Sequence, residues 1–142
     1  PIDIIDSRRL MSTDRSDYNC FMWDSSGSTN RTLEWSYDDA QFHSSGWNEG
    51  EWYHIVGTGS RQNGEVSVYR NAERIYNVNY SAANPIGRGS NRPFGINQNV
   101  ESSVDTDAGA VGYTSIVRIY GKALTPSEVK QNFQAHRKRH GI

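Results

Sequence analysis

The stretch from Gly112 to the C-terminus constrains this chain most, because it contains a helix start that can be read group by group. An apolar run, Gly112 to Tyr120, passes through Lys122-Ala123-Leu124 into Thr125-Pro126-Ser127-Glu128. Thr125 can accept from the Glu128 amide, Pro126 stands where a missing N–H costs nothing, and Glu128 can reach back to the Thr125 amide. Together they form a complete capping box. Leu124, before the cap, and Val129, inside the helix, are placed to touch and so to set the angle at which chain enters helix. Phe133 follows Val129 at helical spacing, whereas Lys130, Gln131, Gln134, Arg137, Lys138 and Arg139 are polar. The spacing predicts a helix laying one narrow apolar stripe on a larger body and ending at Gly141 in a left-handed cap. The run Gly112 to Tyr120 is predicted as a strand that hands directly to this helix.

A length of 142 residues suits one domain, residues 1–142, burying roughly two thirds of the surface its unfolded chain exposes. Hydrophobic content is only 35%, but four Trp, eight Tyr and four Phe supply large buried area per residue. Ser, Asn, Gly and Asp recur in short clusters, a pattern of many turns between short strands. A net charge of −1 gives no overall positive field, so nucleic acid is not an expected partner. The basic run Arg137-Lys138-Arg139-His140 reads as the complement of a helix dipole. Cys20 is alone, which excludes an intrachain disulfide and leaves the redox compartment open. Its neighbours Phe21 and Met22 suggest a small buried side chain. No run approaches the roughly eighteen apolar residues that cross a bilayer, and no signal-peptide pattern opens the chain, so membrane insertion is not expected. Pro1 in place of Met reads as processing or, preferentially, as the C-terminal part of a longer polypeptide.

Along the chain, Ile2 to Ile5 and Tyr18 to Trp23 read as strands separated by the turn-rich segment Ser12 to Asp17. Thr32 to Tyr37 alternates and is broken by Asp38-Asp39, implying a second strand pair. Trp52 to Thr58 is apolar on both parities, as in a central strand covered on both faces. Asn63-Gly64 is the strongest hairpin signal, and Glu65 to Tyr69 alternates directly after it. Arg74 to Tyr80 and Pro93 to Ile96 complete the strands, with a long polar loop from Asn97 to Ala110. Roughly eight to ten short strands and one terminal helix predict an all-β, two-sheet antiparallel jelly-roll sandwich with one short C-terminal α-helix.

Three pieces, in this order, resemble the laminin G-like and concanavalin A-like lectin/glucanase sandwiches, which include pentraxins: Trp52 to Thr58, Gly64 to Asn71, and Val117 to Thr125 with Glu128-Val129. The ending, Val129 to Phe133 and Arg137 to Ile142, is similar to the C-termini of laminin G-like domains in tailed-phage virion proteins. The resemblance implies a concanavalin A-like sandwich on a virion surface or extracellular protein. It also implies an initial strand that is missing before Ile2, to be supplied by upstream chain or by a neighbouring subunit. Ala72 stands where the family often has Gly, and Ile116 where it often has Asp or Asn.

Hydrolases of this family set two Glu and an Asp in alternation along one strand, with carboxyls about 5.5 Å apart. Neither Glu-x-Asp-x-x-Glu nor Glu-x-Asp-x-Glu occurs, and no Gly-x-Ser-x-Gly elbow accompanies the four His, so an enzyme is not expected. His54 reads as a hydrogen-bonded core residue, and His43, His136 and His140 lack metal-ligand spacing. Calcium is the cofactor the resemblance implies, with Asp105 and Asp107, together with Asn97, Asn99 and Glu101, as hard oxygen ligands. Sugar recognition needs a flat aromatic face and a few fixed polar groups. Trp47 and Asn48, in a polar loop, fit that need, with packing beneath the loop as the alternative for Trp47, and Asp38 and Asp39 form a second acidic pair. Trp35 and Trp52 read as core. The expected partners are a cell-surface glycan and virion structural proteins or further copies of the chain. The rival reading is a purely structural domain that decorates a capsid or oligomerises.

Overall fold

The computed structural model describes residues 8–12, 20–24, 32–37, 40–44, 46–48, 50–60, 62–79, 95–96, 99–100, 104–105 and 113–142. The chain divides into two compact units, one formed by Pro1–Gly50 with Asn84–Tyr113 and the other by Glu51–Ala83 with Thr114–Ile142.

The first unit contains β1 (Arg8–Ser12), β2 (Cys20–Asp24), β3 (Thr32–Tyr37), β4 (Ala40–Ser44) and β8 (Gly95–Ile96) in one antiparallel sheet of order β4-β3-β2-β1-β8. One register row runs Phe21, Trp35, Phe42, all aromatic residues with high strand propensity. β4 completes the strand pair implied by the break at Asp38-Asp39. The register of β1 on β2 shifts between Arg9 and Met11. β9 (Asn99–Val100) and β10 (Val104–Asp105) form a separate two-stranded ladder inside the stretch expected to be loop. The strand expected at Ile2 to Ile5 lies outside the described residues.

The second unit is built on β5 (Ile55–Ser60), β6 (Glu65–Arg70) and β7 (Glu73–Asn79), antiparallel in that order. Among the described residues β6 is the strand paired on both edges, and its Val66, Ser67, Val68 and Tyr69 are between 0% and 3% exposed, while β5, the described part of the strand expected at Trp52 to Thr58, is half-buried throughout. A strand flanked by two ladders needs side chains suited to cover on both faces, and Val-Ser-Val-Tyr supplies them. The one polar member, Ser67, has its hydroxyl 3.3 Å from Asn77 Oδ1 and 3.4 Å from Glu65 Oε1. The hairpin expected at Asn63-Gly64 joins β5 to β6, with Gly64 at φ 57°.

The β6–β7 connection is a two-residue turn in which both central residues lie in the left-handed region, Asn71 at φ 51° and Ala72 at φ 70°. Such turns match the twist of the flanking strands but favour Asn-Gly. Asn71 also works as a latch. Its N–H donates to the His54 carbonyl at 2.8 Å and its Oδ1 accepts from the His54 N–H at 2.9 Å, fixing the chain that enters β5. Ala72 has no such compensation, and an L side chain in this region costs about 1 kcal/mol or more.

α1 (Pro126–His140) carries every expected terminal feature. The Thr125 N–H donates to Glu128 Oε2 at 2.8 Å and the Glu128 N–H donates to Thr125 Oγ1 at 3.3 Å. Gly141 closes the helix at φ 70°, its N–H donating to the Arg137 carbonyl, which also accepts from Ile142 at 3.1 Å. Leu124 and Val129 meet Tyr69 in one buried cluster, with Val56 packed against it, so the helix lies on the β5–β6 face. Val56 and Tyr69 are register partners there, and Val129 is 0% exposed.

Of the strand expected at Gly112 to Tyr120, Gly112 lies outside the described residues, and residues 113–120 are irregular and pair with no strand among the described residues. Alternation and β-branched residues supply propensity, but a strand exists only where a neighbouring backbone takes up its N–H and C=O groups. Tyr113, Ile116, Ile119 and Tyr120 are left 71%, 40%, 70% and 42% exposed.

Two stability outcomes follow from this geometry. Ala72→Gly relieves the left-handed strain against a smaller entropic cost, so urea unfolding should show a gain of about 0.5–1 kcal/mol with an unchanged slope. Val129→Ala empties part of the buried cluster and should lose about 2 kcal/mol in the same measurement.

Candidate functional site

In the second unit, the residues entering β5 and the exposed end of α1 form a shelf of aromatic and imidazole rings. Trp52 and His54 are two apart, so an extended backbone sends them to one side. On α1, Val129, Phe133, His136 and His140 recur at four, three and four, continuing the apolar stripe toward the C-terminus. The two sets meet: the Trp52 and His140 ring centroids are 4.7 Å apart at 42°, and those of His54 and Phe133 are 5.8 Å apart at 44°. Arg137 stands with its guanidinium 5.7 Å from the Phe133 centroid, a cation over an aromatic face. Next to Trp52, the exposed Glu51 carboxylate accepts from the Tyr53 hydroxyl at 2.7 Å.

His54 is a half-buried ionisable group of this shelf. Its backbone is bonded to Asn71, as a hydrogen-bonded strand residue should be, but its ring Nδ1 is buried without a hydrogen-bond partner. Burial pushes its pKa below 6.5, and the charges of His136 and Arg118 push it the same way. At the other end of α1, Glu128 is held at about 2, against an ordinary 4.5, first by its bond to Lys122 and then by the Thr125 amide and hydroxyl.

The residues singled out in the sequence fare unequally. Trp47 is buried at 4% exposed and presents no open ring face, which is the packing role weighed against ligand contact; Asn48 beside it is exposed. Asn99 and Asp105 are register partners across β9 and β10. Asp38, Asp39, Asn97, Glu101 and Asp107 lie outside the described residues. Among the described residues, no group of three or more His, Cys, Asp or Glu could hold a metal ion. No helix among them is long and apolar enough to cross a membrane.

The shelf itself was missed in the sequence because Trp52 read as core and the stripe on α1 was traced only from Val129 to Phe133. The signal was present in His136 and His140, which extend that stripe by two further steps. Chemically, the shelf offers planar aromatic surface beside a hydrogen-bonded carboxylate and an imidazole, groups that bind and orient.

A laminin G-type family model, described as the concanavalin A-like lectin/glucanases superfamily, matches residues 4–130. A solved structure of an S-layer domain-containing protein from Clostridium thermocellum is similar at 18% identity with a TM-score of 0.39. The match covers 94% of this chain but spans only 65% of that one. No curated protein matches the chain significantly.

The two shifted groups give separate acid limbs. His54 is less readily protonated folded than unfolded, so its contribution is complete above pH 6.5 and is lost as pH falls from there toward the lower folded value. Glu128 contributes fully above pH 4.5 and loses that contribution as pH falls through about 2. Urea midpoints measured against pH should show both limbs, with His54→Gln flattening the upper one and Glu128→Gln the lower.

Proposed function

Because the chain belongs to the concanavalin A-like lectin/glucanases superfamily, we propose that it is a two-sheet jelly-roll module that binds carbohydrate without cleaving it, on a surface-exposed structural protein. The family match over residues 4–130 carries this reading. The missing alternation of catalytic carboxylates in the sequence supports binding over hydrolysis. Trp52, Tyr53 and Glu51 supply the aromatic surface and the fixed polar group that a pyranose needs. In the other unit, the exposed Asn48 beside the buried Trp47 is proposed by itself as a group that could orient a hydroxyl. Asp38 and Asp39, proposed from the sequence alone, would be acceptors of that same unit.

Calcium held by Asn97, Asn99, Asp105 and Asp107 would supply a rigid rim that accepts sugar hydroxyls, and the register pairing of Asn99 with Asp105 supports placing those two in one cradle. The likeness of the C-terminal segment to virion laminin G-like domains supports a phage head-decoration or fibre protein as the carrier.

A glycan array probed with the chain, with calcium and with chelator, should return at least one binding glycan, and Trp52→Ala should weaken that binding about tenfold or more. An array silent under both conditions would overturn the reading. Release of sugar from a β-glucan panel would overturn its non-catalytic part.

A further inference from the structure

The turn at Asn63-Gly64, which the glycan reading leaves unused, carries a chemistry of its own. An asparagine loses its amide without an enzyme when the backbone nitrogen of the next residue reaches its side-chain carbonyl carbon. The following residue must therefore be small, the asparagine side chain unheld, and the site open to water. Of the twelve asparagines in the chain, only Asn63 is followed by glycine.

The structure adds the other two conditions. Asn63 is exposed at the tip of the β5–β6 hairpin, between the register partners Ser60 and Glu65. Its backbone is anchored, because its N–H donates to Ser60 Oγ at 3.3 Å, but its side-chain amide makes no hydrogen bond to a described residue. Gly64, at φ 57°, brings no Cβ to shield its nitrogen. The β6–β7 turn provides the contrast within the same sheet. There Asn71 Oδ1 accepts from the His54 N–H at 2.9 Å, and Ala72 sets a Cβ beside the nitrogen that would attack. Turning the Asn71 amide toward that nitrogen would break the bond that fixes the entry to β5. Nothing of this kind holds Asn63.

We propose that Asn63-Gly64 is a site of spontaneous covalent modification, at which the folded chain converts residue 63 from an amide to a carboxylate. The Gly64 nitrogen gives its proton to solvent base and bonds to Asn63 Cγ; the Cγ–Nδ2 bond breaks, ammonia leaves, and a cyclic imide closes. Water then opens the imide. Attack at Cγ gives aspartate, and attack at the main-chain carbonyl gives isoaspartate, with the backbone rerouted through the side chain. In sum one water enters and one ammonia leaves, with no oxidation or reduction. The product adds one negative charge to the hairpin tip, two residues from Glu65, whose carboxylate is already paired with Arg74 at 3.3 Å.

Trypsin cuts after Arg61, Arg70 and Arg74, which puts Asn63 and Asn71 on the neighbouring peptides Gln62–Arg70 and Asn71–Arg74. The full chain, kept folded in mildly alkaline buffer for days and digested beside a fresh sample, should show Gln62–Arg70 gaining the amide-to-acid mass increment at least about tenfold faster than Asn71–Arg74. In heavy-oxygen water the converted peptide should carry one heavy oxygen at residue 63, and an isoaspartyl methyltransferase should label it. A chain that keeps the Asn63 amide while folded but loses it when unfolded in guanidinium would overturn the proposal, because the native turn would then hold the side chain away from Gly64. Equal loss at Asn63 and Asn71 would overturn it as well, as would a mass gain with neither heavy oxygen nor methyl label.

Discussion

Seating α1 on the β5–β6 face is the contact on which the second unit depends. Three strands alone form a marginal sheet with one face to cover. The helix supplies that cover through only two fully or nearly buried side chains of its own, Val129 and Phe133, assisted by Leu124 just before it. So narrow a stripe leaves little tolerance for a helix that starts one residue early or late. The capping box removes that freedom by satisfying the first amides from within the Thr125–Glu128 turn, and Lys122 secures Glu128 from outside the helix. Local hydrogen bonding thus sets the register in which a small apolar contact becomes sufficient.

The same seating creates the shelf of rings. Once Val129 is held against Tyr69, helical geometry carries Phe133 to His54 and His140 to Trp52 without further instruction. The arrangement places an imidazole with an unpartnered Nδ1 under a helix whose last turn contains Arg137, Lys138, Arg139 and His140. Those cations complement the helix dipole, but His136, one turn before the end, also disfavours a charge on His54. The helix terminus is therefore stabilised electrostatically, whereas the ring beneath it is kept neutral, and the two effects share overlapping residues.

What could be read from the sequence follows the range of the interaction involved. The capping box, the Gly141 stop, the Asn63-Gly64 hairpin and the strand at Thr32–Tyr37 are settled by residues a few positions apart, and the structure reproduces them. The double pairing of β6 among the described residues was not legible, because Glu65 to Tyr69 alternates as a strand with one covered face does, and which strands lie on either side of it is a long-range matter. The ladder of β9 and β10 was hidden in a polar stretch whose composition says turn. At the site, Trp47 has loop neighbours suited to a ligand contact, and its burial at 4% arises from tertiary cover that no local pattern announces. The Trp52–His140 contact joins residues far apart in the chain, and it emerges only when the helix stripe is followed to its end.

Segment 113–120 extends this distinction between local and long-range determinants. Its sequence has strand character at every level available locally: alternation, β-branched residues and aromatic ends. It still forms no strand among the described residues, since propensity describes how well side chains fit a pleated surface and backbone pairing needs a second edge. A few residues beyond it the chain enters a helix whose first turn is fixed by its own side chains, so the irregular path is confined to this segment's side of Leu124. Its Tyr113 and Ile119 side chains stay exposed, so the apolar residues that give it strand propensity find no cover among the described residues.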